Sequence, residues 1–327
     1  MKLQLYSAAD VRRALPMAEA IGGVKAGYVQ LSAGRAQVPL RVPLNVSPDD
    51  VTLIMPFFTP DGGGALGLKL VSVFGSNIPR GLPLINSLVM AVDPATGAPA
   101  ALIEGSSLTA IRTGAASGAA TDVLARPDAA VAAIFGAGVQ ARRQLEAVCT
   151  VRPIERVYVH SLVGAEAFAA EMAGAGPIPT DIVIAPDARE AAANADVICA
   201  ATTTRTPVFD GRDLRPGTHV NGIGSFTPEM QEIDSVTVRR ARVFVDSVEA
   251  ALAEAGDLII PLNAGMITLD HIRAELGEVI AGLKPGRTSP DDITFFKSVG
   301  VAVQDALAAQ IILRNGPAMG LGTTVEL

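Results

Sequence analysis

From about residue 108 the chain alternates short apolar, β-branched runs with helical or loop segments, and that alternation leaves few folds open. The runs are 131–135, 157–161, 181–185, 196–200, 219–223 and 243–246. Strands so continuously apolar are buried on both faces, which calls for parallel pairing through crossovers. An Ala-rich helix from Leu108 to about Leu124 leads into them. The expected solution is a doubly wound parallel sheet.

The first of these runs is followed by Gly136-Ala137-Gly138-Val139-Gln140-Ala141 and a helical pattern. This is a strand, a GxGxxA turn and a helix start. Gly136 allows the tight turn, Gly138 lets backbone approach a pyrophosphate, and Ala141 allows close helix–strand packing. The free N–H groups of the helix start favour an anion. A Rossmann-type unit binding NAD(H) or NADP(H) is expected, with Gly136, Gly138, Val139 and Gln140 at the phosphates. Thr202, Thr203, Gly222, Gly224 and Ser225 follow the fourth and fifth strands, on the edge where such sheets bind ligands. The second strand ends in His160 and Ser161, with no carboxylate to hold an adenosine ribose or repel a 2′-phosphate. That tilts the expectation toward NADP(H), although no Arg stands at the tip either.

Before residue 108 the pattern differs. Ser7 is a plausible N-cap for a short helix, and a second helix after Pro16 carries Met17, Ile21, Val24, Tyr28 and Leu31 on one face. Runs 38–45, 51–57, 66–74, 84–92 and 100–104 read as strands of an antiparallel or mixed sheet, the last two joined by a turn at 93–97. A final helix over 299–314 has Val303, Leu307, Gln310 and Ile311 on one face, precedes a Gly-rich tail, and is expected to return to this first region. The chain therefore reads as α/β: a Rossmann-type domain, 116–301, inserted in a smaller α+β domain, 1–115 plus 302–327.

With 49% hydrophobic but only 4% aromatic residues, the cores must be built from Ala, Val, Leu and Ile. A net charge of −7 without basic blocks argues against nucleic acid as a partner. Cys149 and Cys199 lack metal-ligand spacing and read as small buried hydrophobes in a reducing compartment. No stretch reaches the ~18 uncharged apolar residues of a membrane span, so no membrane partner and a cytoplasmic location are expected. His160, His219 and His271 form no HxH or HExxH pattern, and no metal is expected.

Arg41-Val42-Pro43-Leu44-Asn45, Gly67-Leu68-Lys69, the run Leu108-Thr109-Ala110-Ile111-Arg112-Thr113-Gly114-Ala115-Ala116-Ser117 and the glycine turn together resemble the ornithine cyclodeaminase/mu-crystallin family. The run from Gly224 to Asp234 and that from Lys297 to Ala302 extend the resemblance nearly end to end. It implies a homodimeric NAD(P) enzyme acting on small amino acids or cyclic imines, the smaller domain binding substrate and forming the dimer. It implies that Arg41, Lys69 and Arg112 grip the substrate carboxylate, with Lys69 as proton donor. Arg112, Thr113, Lys297 and Ser298 are implied at the cofactor.

Ornithine cyclodeaminases carry an Asp where this chain has Phe226. A phenyl ring cannot exchange protons or pair with an ammonium. The resemblance then points to reduction of a C=N bond, with Phe226 as an apolar wall against the substrate ring. The expected reaction takes Δ1-pyrroline-2-carboxylate, or piperideine-2-carboxylate, to L-proline or L-pipecolate. Alternatives are a cyclodeaminase in which Glu229, Glu232 or Asp234 substitutes, an alanine dehydrogenase-like enzyme, and a non-enzymatic NADP or small-ligand binding protein. Asp246 and Asp257 read as capping or turn residues.

Overall fold

Ser7 accepts the amide of Asp10 while Asp10 accepts that of Ser7, and this capping box starts the helix Ala8–Ala14. Pro16 sits at the N-cap of the next helix, Met17–Ser32. The computed structural model describes residues 2–327. In chain order the strands are β1 Lys2–Tyr6, β2 Val42–Ser47, β3 Asp50–Thr59, β4 Ala65–Phe74, β5 Ile85–Val92, β6 Pro99–Glu104, β7 Val131–Phe135, β8 Arg156–His160, β9 Ile182–Ile184, β10 Val197–Ala200, β11 His219–Gly222, β12 Ala241–Val245, β13 Ile272–Glu275, β14 Ile293–Lys297 and β15 Thr323–Glu326. The chain divides into two compact units, 1–112 with 301–327, and 113–300. The first boundary falls inside the unbroken helix Gly105–Leu124, a few residues from the expected division after residue 115.

The first unit is a seven-stranded sheet in the order β15-β1-β6-β5-β4-β3-β2. Strands β2 to β6 are antiparallel neighbours, whereas β1 runs parallel to β6. The expected run at 38–45 begins instead at Val42, and β1 and β15 were not foreseen. Both are short: β1 lies between β6 and the edge strand β15, with Lys2 opposite Glu326. Leu53, Met55 and Phe57 of β3 and Val71 of β4 turn inward, as does Lys69. The helices Met17–Ser32 and Ala302–Ala318 pack together, and the second of them lies on β3 and β4. Two glycines permit their close approach: a Cβ on Gly23 would lie 2.8 Å from Ile311, and one on Gly27 3.1 Å from both Val303 and Leu307.

The second unit is the expected doubly wound parallel sheet, in the order β13-β12-β14-β11-β10-β7-β8-β9. It has eight strands rather than six. The added β14, Ile293–Lys297, lies buried between β11 and β12, and β13 pairs at the edge. From β7 the chain winds outward through β8 and β9, then returns to β10 on the other side. The switch point therefore lies between β7 and β10, where sheets of this kind open a crevice beyond their carboxyl ends. Gly114 carries no Cβ because one would meet the Arg143 carbonyl oxygen at 2.5 Å, so its helix rests directly on the helix Val139–Val151.

Candidate active site

In the first unit, the inward alternation of β4 buries Lys69 to 1% exposure. A lysine there needs a partner, and Asp305 of the helix Ala302–Ala318 supplies it. Lys69 Nζ lies 3.0 Å from Oδ1 and 2.9 Å from Oδ2. Arg112 Nε donates to the same Oδ1 at 3.1 Å, and its Nη1 donates to Gln304 Oε1. Gln304 in turn donates to the Tyr28 hydroxyl at 2.5 Å. One buried carboxylate thus gathers two cations, and an amide-phenol pair braces the second.

Burial, and then the Arg112 charge, pull the Lys69 pKa down to about 7 against the upward pull of Asp305. Arg41, half-buried before β2, also lowers it through space. Lys69 is therefore poised to give up a proton near neutrality. Arg112 Nε and Nη1 are thus committed to Asp305 and Gln304. Sequence reasoning singled out the cations but missed Asp305 and Gln304. The available signal was a Gln-Asp pair inside the otherwise apolar first half of the helix Ala302–Ala318.

In the second unit, Gly136 has φ +101° and a Cβ there would lie 2.8 Å from the Ala201 carbonyl oxygen, so the turn after β7 demands glycine. Gly138 is the N-cap of the helix Val139–Val151, and a Cβ on it would meet nothing within 4 Å. It faces open space. A cavity of about 570 Å³ lies at the switch point, lined among others by Gly136, Gly138, His160, Ser161, Thr202 and Thr203. A glycine rim, open helix amides and an absence of lining carboxylates fit the diphosphate of a dinucleotide. Leu162 on the same rim is 97% exposed. Val139 projects outward beside Gln140 in the first helical turn.

The remaining expected cofactor residues hold the carboxyl edge together. Glu232 accepts the Thr202 amide at 2.5 Å, the Thr202 hydroxyl at 2.7 Å and the Gly224 amide at 2.7 Å, tying the loops after β10 and β11. Its pKa is raised to about 7 by burial first and the nearby Asp257 second. Asp257 accepts the Glu232 and Ile233 amides and pairs with Lys297 at 2.8 Å, both side chains fully buried. Asp246 accepts from the Ser298 hydroxyl and the amides of Ser247, Val299 and Gly300. The Ser225 hydroxyl donates to the Met230 carbonyl, and the Thr113 carbonyl accepts from Gln144. A Cβ on Gly222 would press on the Phe295 ring at 2.8 Å.

Of the possible substitutes for a catalytic Asp, Glu232 is tied into loop amides, Asp234 caps the helix Ser235–Arg240, and Glu229 is exposed. Phe226 is half-buried. Among the described residues, no group of three or more His, Cys, Asp and Glu is arranged to hold a metal ion.

One unit with a mixed sheet and buried cations, and another that is doubly wound with a glycine-rimmed cavity at its switch point, define a protein of the two-domain dinucleotide-binding class. The chain belongs to the ornithine cyclodeaminase/mu-crystallin family, whose model matches residues 1–317. It is 41% identical to a Δ1-pyrroline-2-carboxylate reductase of Bacillus cereus over 324 residues, 98% of this chain and 99% of that one. The Thermococcus litoralis Δ1-pyrroline-2-carboxylate reductase, solved with NADH and L-proline, superposes with a TM-score of 0.94 at 44% identity, covering 99% of this chain and 100% of the other. An archaeal alanine dehydrogenase dimer with bound NAD gives a TM-score of 0.93 at 32% identity, with full coverage of both chains.

Proposed function

We propose that this protein is an NAD(P)H-dependent reductase of cyclic imino acids that converts Δ1-pyrroline-2-carboxylate to L-proline. The observation that carries the reading is the pairing of Lys69 and Arg112 on Asp305, a lysine with a pKa of about 7 held on the same carboxylate as a guanidinium. The similarity to the Thermococcus litoralis enzyme, which binds NADH and L-proline, supports it. A reduced nicotinamide, when bound, would supply the hydride for the imine carbon. Lys69 gives one proton to the ring nitrogen, so C=N becomes CH–NH as the cofactor is oxidised, and Lys69 recovers its proton from solvent. Arg41 and the remaining Arg112 nitrogen hold the carboxylate. Phe226, unable to act as acid or base, disfavours the deamination of a diamino acid.

For the cofactor, Gly136, Gly138 and the helix Val139–Val151 would hold the diphosphate, and Leu162 offers an apolar surface to a nucleobase. The tip of β8 bears no carboxylate, and the Ser161 hydroxyl donates to the Val163 carbonyl of its own loop. The site therefore lacks the usual barrier to a 2′-phosphate, and we propose that NADPH is accepted as well as NADH. Loss of reduced-cofactor absorbance with pyrroline-2-carboxylate, piperideine-2-carboxylate, or pyruvate plus ammonia tests the whole reading. Turnover should be confined to the cyclic imines, and ornithine should release no ammonia. Turnover of pyruvate plus ammonia alone would reject it.

We also propose a homodimer formed through the first unit. On the outward face of its sheet, Val42, Ile54, Leu70 and Leu88 stand in one cross-strand row over β2 to β5, and Pro56, Leu68, Met90 and Leu102 in another over β3 to β6. Val42 and Leu44 are each 51% exposed. So broad an apolar sheet face needs a cover, and the archaeal alanine dehydrogenase relative is a dimer. Sedimentation should give twice the 33.6 kDa chain mass at micromolar concentration. No helix among the described residues is long and apolar enough to cross a membrane. The unlinked, buried Cys149 and Cys199 suit the reducing cytoplasm in which we place the enzyme.

A further inference from the structure

We infer that Asp305 is a positioning residue for the reduction: its single carboxylate holds the Lys69 ammonium and the Arg112 guanidinium together, fixing which of their N–H groups face a substrate. The inference rests on the reading above. Its geometry does not depend on which imine is reduced.

Lys69 and Arg112 come from β4 and the helix Gly105–Leu124, and nothing local brings them together. Two cations in a buried site repel unless an anion shares them. Asp305 is that anion, with 0% of its side chain exposed. Lys69 Nζ donates to Oδ1 and lies 2.9 Å from Oδ2, so the ammonium is held against the helix Ala302–Ala318 by a hydrogen bond and an ion pair to one carboxylate. Oδ1 also takes Arg112 Nε, while the neighbouring Gln304 takes Nη1, so adjacent residues of one helix grip one edge of the guanidinium. Gln304 is itself anchored on Tyr28, within the helix Met17–Ser32 packed alongside. The arrangement orients both cations before substrate arrives.

The charged groups acting on Lys69 are Arg112, Asp305 and Arg41; its strand neighbours opposite, Met55 and Val89, do not titrate. Asp305 alone among these favours the ammonium. Replacing it with a neutral amide lowers the pKa of Lys69, leaves less ammonium at neutral pH, and moves the alkaline limb of the rate profile to lower pH.

The chain has five lysines, Lys2, Lys25, Lys69, Lys284 and Lys297, so a ¹³Cε-lysine NMR titration of the full protein resolves Lys69, assigned by its loss in Lys69→Met. The expected result is a downward shift of the Lys69 midpoint by roughly one pH unit or more in Asp305→Asn, with the alkaline limb of kcat/KM following it. Asp305→Glu keeps the charge but displaces it by a methylene. It should hold the midpoint near that of the wild type while lowering kcat about 10-fold or more, with NADH affinity unchanged. An unmoved midpoint in Asp305→Asn, or wild-type kcat in Asp305→Glu, overturns the inference. Failure of the wild type to reduce pyrroline-2-carboxylate would instead overturn the proposed function, and the lysine midpoint would still decide the role of Asp305.

Discussion

Glu232 and Thr202, thirty positions apart, are joined twice, the carboxylate accepting both the amide and the hydroxyl of the threonine. Because the other oxygen takes the Gly224 amide, one buried acid sets the spacing of two loops at the carboxyl edge. Its pKa rises from an ordinary 4.5 to about 7 on folding, so the folded state binds more protons than the unfolded state between those values. Stability therefore falls as pH rises from about 4.5 to 7 and is level above. Glu232→Gln removes this slope and leaves one buried amide facing an NH2 group, at a cost of about 1–3 kcal/mol. Melting temperatures of both proteins across pH 5 to 8 check it: the advantage of the wild type should shrink with rising pH.

Gly138 and Gly136 should respond differently to substitution. Nothing of the protein lies within 4 Å of a Cβ on Gly138, so Gly138→Val should leave the melting temperature nearly unchanged and weaken NADH binding at least 30-fold, or about 2 kcal/mol. Gly136→Ala meets the Ala201 carbonyl at an unfavourable φ and should lose stability as well. Fluorescence titration together with thermal melts separates the two. Unchanged affinity in Gly138→Val would place the phosphates elsewhere.

Loss of either cation should reduce kcat/KM on pyrroline-2-carboxylate by ~30- to 1000-fold, the range of a charge-assisted contact worth about 2–4 kcal/mol. The split differs between the two. Lys69→Ala removes the proton donor and should lower kcat, whereas Arg112→Ala should act mainly on KM. Steady-state kinetics of both variants would decide, and near wild-type values would remove these residues from the active site.

Gly27 faces Val303 and Leu307 at 3.1 Å, a contact with no room for added atoms. Gly27→Val should cost ~1–3 kcal/mol through overpacking, seen as a lower melting temperature. The same substitution at Gly22, with nothing within 4 Å, should be neutral or slightly stabilising, since Val is the better helix former of the two.

Much of the second unit is legible in the residues. Short apolar runs carry their own strand signal, and Gly136 and Gly138 announce a turn whose constraint is local. The helix faces of Val24 and Tyr28, and of Val303 and Leu307, follow from spacing alone. β14 escapes notice because its five residues stand apart from the alternation preceding them. β15 escapes because it exists by pairing with β1 at the opposite end of the chain, and β1 because its partners, β6 and β15, both lie far along the sequence. Asp305 is hidden for the same reason: 236 positions separate it from Lys69, and no local period links a helix residue to a strand that far away. Residue chemistry marks Lys69 as unusual in its apolar run, but only the fold supplies its counter-charge.

The division of the first unit between 1–112 and 301–327 imposes an order on biosynthesis. The second unit is complete in the chain as soon as residue 300 has emerged, and it can fold while translation continues. The first unit cannot follow until the closing helix and β15 arrive. Until then Lys69 and Arg112 have no anion to share and the sheet has no final strand. A nascent chain arrested just after residue 300 has emerged should therefore hold a protease-resistant dinucleotide-type unit and an open, unneutralised N-terminal segment, which acquires its carboxylate grip only once Asp305 has followed.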